Sequence, residues 1–472
     1  MNSANLKKQD LTKNTLLLAT GTLMTKGLQF IMMPFFSRWL STEDFGRFDL
    51  LCTYVALLIP VLNFATGEAI FRFSVDEIDL KKIKEYISGG FVLAFSNFLI
   101  FSVIALMLNF FRVIHYIVPF LFLLMMQLCN VYLQSYLRAV KKLKIYSISN
   151  ALTTLCTAIS VSVLILVAGM GLDGIIYGYA LGYFCGNVWI VVCSRYWTFF
   201  SITSVRWEVV KKLIRYSLPL VPNDLSWWVL NASDRQIINI FLGASANGVY
   251  AIAHKIPGLC SSIFSMFGIS WQQSVVENIS EPESKKYFND IYNKMVVMLI
   301  SACIGLLSVN FILFHFIFDN RYVSAENYAP ILITAIAFSS LSLFFGGIQI
   351  GLKRPKENGI STIAGAVVNL LVHLGLVKIV GLYAAAISTM VANLFVMWLR
   401  RYRLRKDIIF YLEKKSFIYI GLYFYFIVSC YLFQNTLWLN VVNLLFAVAV
   451  FIKANIGLIG DLKGRFFKSR KQ

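Results

Sequence analysis

The sequence predicts an all-α polytopic membrane protein. About fourteen transmembrane helices form two parallel six-helix lobes, related by a pseudo-twofold axis along the membrane normal, followed by two C-terminal helices. Three observations predict it. Hydrophobic residues make up 58% of the 472, and they fall into runs of ~20 or more, long enough to cross a bilayer as helix. The 43 Lys and Arg residues concentrate in every second gap between those runs, which is the positive-inside pattern. The chain also repeats itself at an offset of about 210 residues.

The runs place the first six spans at 14–36, 45–67, 88–111, 113–137, 145–168 and 173–194. The next six are 213–241, 247–274, 292–318, 328–352, 358–379 and 382–399, and the last two are 416–434 and 437–459. The first run is too long for a signal-peptide core and no small-residue cleavage site follows it, so it reads as a span. The lobes are taken as 1–200 and 201–407, with 408–472 holding the two appended helices and a basic tail. Those two helices have apolar, aromatic faces suited to lipid or to a lipid tail.

Basic clusters mark one side: Lys7, Lys8 and Lys13; Lys81, Lys82 and Lys84; Arg138, Lys141, Lys142 and Lys144; Lys353, Arg354 and Lys356; Arg400 to Lys406; and Lys463 to Lys471. The other side carries only Arg38, Arg47, Arg112, Arg321 and Lys378. Both termini are therefore expected in the cytoplasm. The net charge of +20 is explained by topology and by anionic lipid heads, so no nucleic acid partner is expected; a soluble binder would gather its basic residues on one folded face. The eight cysteines lie in apolar runs without a CxxC pair. They read as small thiols buried between helices, with neither metal nor disulfide.

The repeat is carried by turns. Leu40, Gly46 and Phe48 after the first span match Leu242, Gly248 and Tyr250 after the seventh. Leu137-Arg138 with Lys141 matches Leu352-Lys353 with Lys356, and Gly171-Leu172 matches Gly381-Leu382. Six spans per repeat bring both halves in from the same side, which is the parallel-repeat arrangement of secondary transporters. The substrate then lies between halves that alternate in access.

Ionisable residues inside spans are costly, by ~2.5 kcal/mol or more at the centre, and mark cavities. Lys26 shares a helix face with Thr22 and Gln29. Asp224, Asn231, Arg235 and Asn239, spaced 7, 4 and 4, form a stripe on span 7, flanked by Asp234. Pro219 and Pro222 are expected to kink that helix. Span 8 adds His254 and Lys255. Glu68 and Arg72 end span 2 at i, i+4, an order that suits a helical ion pair serving as a gate or as a plain surface contact. Lys26, Arg235 and Lys255, helped by Asn231 and Gln29, are the candidate ligands of an anion such as pyrophosphate. Glu68, Arg72, Asp224, Asp234 and His254 are the candidates for gating or ion coupling. No P-loop, HExxH or GxSxG motif is present, so an enzyme is not expected. Gly346, Gly347 and Gly351 read as close helix packing or flexing.

The segment Tyr216 to Pro222, continued through Asp234-Arg235, Phe241-Leu242-Gly243 and Gly248 to Lys255, resembles spans seven and eight of the bacterial oligosaccharide flippases. These are Wzx-type polysaccharide transporters, in the MOP superfamily with the MATE exporters and lipid II flippases. Leu40 to Phe48, Arg72-Phe73, and Tyr328 to Pro330 through Pro355 are similar to the family too. The resemblance implies two six-helix lobes around a cationic cavity. It implies transfer of an undecaprenyl-pyrophosphate-linked oligosaccharide repeat unit across the bacterial cytoplasmic (inner) membrane, by alternating access and beside a polysaccharide polymerase, as in O-antigen synthesis. Trp227, Trp228 and Trp271 are candidates for sugar stacking or interfacial anchoring. No cofactor is implied; drive from an H+ or Na+ gradient or from the membrane potential stays open. The alternative is a MATE-like drug or metabolite cation antiporter, which would need acids deep in its lobes.

Overall fold

The computed structural model describes residues 25–74, 77–110, 116–279, 281, 283–434 and 436–469. Residues 14–24 of the first expected span with Thr22, the cluster Lys7, Lys8 and Lys13, and also Arg112, Arg470 and Lys471 lie outside them. Every element among the described residues is helical, and the chain divides into two compact units, Met1–Asn239 and Ile240–Gln472.

The first unit starts with a helix over 25–39 (α1). It continues through α2 (Thr42–Leu62), α3 (Thr66–Ser74), α4 (Leu80–Phe110), α5 (Ile117–Ala139), α6 (Leu143–Leu166), α7 (Gly171–Ser194), α8 (Trp207–Ser217) and most of α9 (Val221–Leu242). The second unit holds α10 (Ala244–Asn278), α11 (Ser284–Ile312), α12 (Ala329–Gly351), α13 (Pro355–Val380), α14 (Tyr383–Leu404), α15 (Lys414–Leu432) and α16 (Leu437–Ser469). Eleven helices among the described residues are long and apolar enough to cross a membrane. Among the expected spans covered in full by the described residues, the exceptions are α9 and α10, which carry the polar residues of spans 7 and 8 singled out by the sequence.

Two expected spans are interrupted. Span 2 breaks after Leu62: Phe64 and Ala65 adopt φ of 49° and 52°, and α3 is a separate helix. Span 7 passes at its prolines from α8 through a 3-10 turn into α9. Pro219 sits in a 3-10 turn and Pro222 in the first turn of α9, where a missing N–H costs nothing. Before them runs the amphipathic α8, which buries Val210 and Leu213 and exposes Trp207, the character of an interfacial helix.

The turns of the repeat agree in backbone conformation. Gly46 and Gly248 are each the fifth residue of their helix, α2 and α10. Gly171 and Gly381 have φ of 52° and 58°, and Lys141 and Lys353 have φ of 59° and 60°, each of these lysines two residues before a helix start. The structural match therefore runs from Lys141 to Lys353, where the sequence alone pairs Lys141 with Lys356.

Small residues let helices of the first unit approach. Gly178, Gly182 and Gly186 of α7 form a stripe against α6, and a Cβ at Gly182 would lie 1.9 Å from Thr157 Oγ1 and 2.8 Å from its Cα. Buried amides join α5 to α7: Asn130 Nδ2 donates to Asn187 Oδ1 (2.9 Å), and Asn187 Nδ2 donates to Met126 O (2.9 Å). Interhelical bonds of this kind replace the hydrophobic effect that lipid cannot supply.

The core of the second unit joins α10, α11, α12, α15 and α16. Trp271 is buried there, stacked on Phe344 at 4.4 Å, with Nε1 donating to Phe344 O (2.9 Å). It is a packing residue, neither a sugar platform nor an interfacial anchor. Phe426 and Val450 share the same core, so α15 and α16 pack on α11 with one side, while Phe424, Trp438 and Leu445 stay exposed on faces suited to lipid. Gly346 gives way to Arg400, which donates to Ser342 O, Ser361 Oγ and Thr362 Oγ1, all at 2.9 Å. Gly347 and Gly351 likewise admit Trp271 and Val275, so these glycines serve packing. Of the cysteines, Cys260, Cys303 and Cys430 are buried as expected, but Cys193 is exposed.

Asn289 and Asn293, one turn apart on α11, hold the linker between α14 and α15. Asn289 Nδ2 donates to Ile409 O (3.0 Å) and its Oδ1 accepts from Tyr411 N (3.2 Å). Asn293 Nδ2 donates to Tyr411 O (3.1 Å) and its Oδ1 accepts from Glu413 N (2.9 Å). Two amides thus read alternate residues of an extended segment as a neighbouring strand would.

Two substitutions test this packing. Gly182→Ala is expected to lower stability by about 1–3 kcal/mol, the range for overpacking, seen as an earlier thermal transition of the purified protein. Asn293→Ala leaves the Tyr411 carbonyl and Glu413 amide without their partner and should cost about 1–3 kcal/mol, with faster proteolysis of the 405–413 linker as its local signature.

Candidate functional site

The break in span 2 opens a cavity of about 540 Å³ within the first unit, inside the roughly 300–1,000 Å³ that small-molecule sites occupy. Pro60 leaves the amide ladder of α2 short of one donor, and Asn63 caps the turn that leads into α3. Asn63 Oδ1 accepts from Ala65 N (2.8 Å), Thr66 Oγ1 donates to Asn63 O (2.7 Å), and Asn97 Nδ2 donates to Leu62 O (2.8 Å). Ala65 N also reaches back to Pro60 O at 3.1 Å. Backbone that leaves a helix needs partners for its amides and carbonyls. Here the neighbouring groups supply them, and Pro60, Asn63, Ala65 and Gly67 also line the space.

The opposite walls come from α5 and α9. Arg138 of α5 donates through Nη2 to Glu68 Oε1 at 2.9 Å, and its guanidinium lies 5.4 Å from the Phe71 ring centre. Gly67 permits this approach, since a Cβ there would be 2.4 Å from Ser135 Oγ. From α9 come Asp224, Trp227 and Trp228. Three contacts strap α9 to α2: Trp228 Nε1 donates to Thr53 O (2.8 Å), Tyr54 Oη donates to Gln236 Oε1, and Arg235 Nε lies 3.5 Å from Asp49 Oδ2.

The structure thus brings Glu68 and Asp224 into one cavity together with two of the three tryptophans proposed for sugar stacking. Glu68 binds Arg138 of α5, a partner that its helical neighbour Arg72 does not foreshadow. Arg72 is exposed on α3. Arg235 is nearly buried against Asp49, and Asp234 beside it is buried. Lys26 is exposed and Gln29 half-buried on α1; neither they nor Arg235 line the cavity. Asn231 lies in α9 with its side chain outside those described. His254 is half-buried and Lys255 exposed on α10 of the second unit. Sequence reasoning misses Arg138 as a site residue, since it counts there only as a loop charge, and also misses Asp49 and Asn63. Pro60, three residues before Asn63, is the signal for the break.

A second titratable group lies outside the spans. Glu326, 4% exposed, sits in the 3-10 segment Asn320–Asn327 with its carboxylate 3.4 Å from His315 Nδ1, and Asn310 Nδ2 donates to its backbone carbonyl (3.1 Å). Burial pushes its carboxyl from the usual 4.5 up to about 7. The folded chain then binds this proton more tightly than the unfolded chain. Stability contributed by the group is complete below the unfolded value, falls as pH rises towards 7, and is level above it. Glu326→Gln is expected to remove a slope of up to about 1.4 kcal/mol per pH unit in that window, read as the difference between the pH–stability curves of the two proteins.

The profile of a family described as polysaccharide biosynthesis protein matches residues 11–272, more than half of the chain. A protein of Haloferax volcanii described as a probable low-salt glycan biosynthesis flippase, Agl15, is 20% identical over 391 residues, 80% of each chain. Among solved structures, the lipid II flippase MurJ in an inward closed conformation superposes with a TM-score of 0.68 over 95% of this chain and 99% of that one, at 13% identity. A point mutant of the Vibrio cholerae MATE transporter VcmN gives 0.59 over 88% and 99%, also at 13% identity. An inward-facing multidrug resistance MATE transporter of the MOP superfamily gives 0.56 over 84% and 96%, at 16% identity. This chain is a multi-pass membrane member of the polysaccharide biosynthesis protein family, built on the fold that MATE transporters and the lipid II flippase share.

Proposed function

We propose that the protein is a flippase that carries an undecaprenyl-pyrophosphate-linked oligosaccharide repeat unit from the cytoplasmic to the outer leaflet of the bacterial cytoplasmic membrane. The observation that carries this reading is the broken-helix cavity: polar backbone, a carboxylate–guanidinium pair and two indoles at one place in an apolar helix bundle. Discontinuous helices of this kind form the substrate sites of secondary transporters. Family membership and the flippase relative support the same reading. A saccharide headgroup cannot cross hydrocarbon unaided, because each unpaired polar group costs several kcal/mol there; the cavity supplies those partners.

In this proposal Lys26, Arg235 and Lys255 attract the pyrophosphate, with Asn231 and Gln29 as hydrogen-bonding neighbours. An anionic headgroup moving outward is helped by an inside-negative potential, by ~2.3 kcal/mol per charge per 100 mV. Glu68, Asp224, Asp234 and His254 are the groups through which H+ or Na+ coupling would act, and Arg72 is a gate candidate beside them. A polysaccharide polymerase is the partner that would consume the product. The MATE-like cation antiporter has one observation in its favour, the two carboxylates Glu68 and Asp224 in a single cavity.

The test is mass spectrometry of polyprenyl-linked saccharides in a deletion strain, together with its surface polymer. Complete lipid-linked units should accumulate and the surface polymer should be lost. An unchanged lipid-linked pool, with altered drug sensitivity, would give the antiporter the better claim. Complementation with Lys26→Gln, Lys255→Gln and Arg235→Gln, joined to Asp49→Asn so that Asp49 is not left without its ion pair, should restore protein to the membrane but not polymer to the surface. Normal export by that variant would remove the pyrophosphate assignment.

A further inference from the structure

We infer that the cavity of the first unit is a saccharide subsite that accepts a neutral or amino-bearing sugar and disfavours an acidic one. The inference rests on the flippase reading and adds the substrate class to it. The cavity has the chemistry of sugar recognition. Sugars present a C–H face and an equatorial rim of hydroxyls. The C–H face needs a flat apolar platform, and Trp227, 41% exposed, and Trp228 line the space. Trp228 is fixed in place by its bond to Thr53 O, and aromatic rings give large contact area at little entropic cost. The rim needs donors and acceptors side by side. Glu68 and Arg138, paired at 2.9 Å, provide an acceptor edge next to a donor fork.

The charge of the lining decides which sugar fits. Its ionisable residues among those described are two carboxylates, Glu68 and Asp224, against one guanidinium, Arg138. A uronic acid carboxylate would meet like charge there, whereas an ammonium would be attracted; rejection of the wrong ligand by repulsion is a recognised source of specificity. The pyrophosphate, itself anionic, is excluded by the same argument. The three cations assigned to it do not line this cavity. Sugar and pyrophosphate would therefore be held by different residues.

The test uses the full-length protein in lipid nanodiscs and saturation-transfer NMR with three probes of one ring type: methyl glucosaminide, methyl N-acetylglucosaminide and methyl glucuronide. The first two should give signals at least about threefold stronger than the third. Asp224→Asn and Glu68→Gln should each narrow that gap. Trp227→Ala should lose the signals, and Trp227→Phe, which keeps a ring, should retain most of them. Equal or stronger signals from the glucuronide would overturn the charge argument, and signals unaffected by Trp227→Ala would overturn the subsite. The flippase reading fails separately, through an unchanged lipid-linked pool in the deletion strain: sugar binding with an unchanged pool would leave a saccharide site on a protein of another task, and an accumulated pool without sugar binding would leave a flippase that holds its sugar elsewhere.

Discussion

The cavity depends on how the chain satisfies its backbone where α2 stops being helical. A buried polar group without a partner costs about 1–3 kcal/mol, so a helix cannot simply end against its neighbours with its backbone unsatisfied. Here the break is closed by its own neighbours: Asn63 caps Ala65, Thr66 caps Asn63, and Asn97 of α4 takes the free Leu62 carbonyl. Phe64 and Ala65 are held in the left-handed region, which is unfavourable for residues with a Cβ and persists only where the surroundings fix it. The strain turns α3 away from the line of α2 and leaves room for the side chains of α5 and α9. Asn63 therefore has a structural task that precedes any contact with substrate.

Arg235 follows the rule that a buried ion needs a partner: it has Asp49, both nearly buried, whereas Glu68 and Arg138 pair at an exposed position. The first pair joins α9 to α2 away from the cavity lining, and the second joins α3 to α5 at the cavity itself. Arg400 in the second unit is handled differently. It is buried among carbonyl and hydroxyl acceptors, reached only because Gly346 has no side chain. Guanidinium tolerates this, since its charge is spread over a planar fork whose donors are met one by one.

The spans and turns are legible in the sequence because their signals are local. Apolar length, the alternation of Lys and Arg, and glycines at Gly171 and Gly381 with positive φ all act within a few residues. Pro60 hints at a break, but its left-handed backbone is not legible, because nothing in Phe64 or Ala65 announces it. Glu68 illustrates the general limit. Its sequence neighbour Arg72 is the natural partner on a helix, yet Arg138, brought alongside by packing of α3 on α5, binds it. Trp271 eludes the sequence for the same reason: a tryptophan near a span end looks interfacial until the helix that covers it is known. The polar stripe of α9 is visible in the spacing of its residues, but its partner on α2 is not.

The same stripe bears on transport. Because Trp228, Arg235 and Gln236 all bind α2, α9 and α2 form a single strapped pair. The cavity wall contributed by α9 cannot move away from the break without exposing the buried Asp49 and Arg235 charges to an apolar medium. Opening of this cavity must therefore involve α3 and α5, whose link across the rim is the half-exposed Glu68–Arg138 pair. An exposed ion pair contributes little, about 0–1 kcal/mol, and can exchange its partner for water or for a sugar hydroxyl at small cost. The buried Arg235–Asp49 pair fixes α9 to α2, and the exposed Glu68–Arg138 pair is the adaptable side of the cavity.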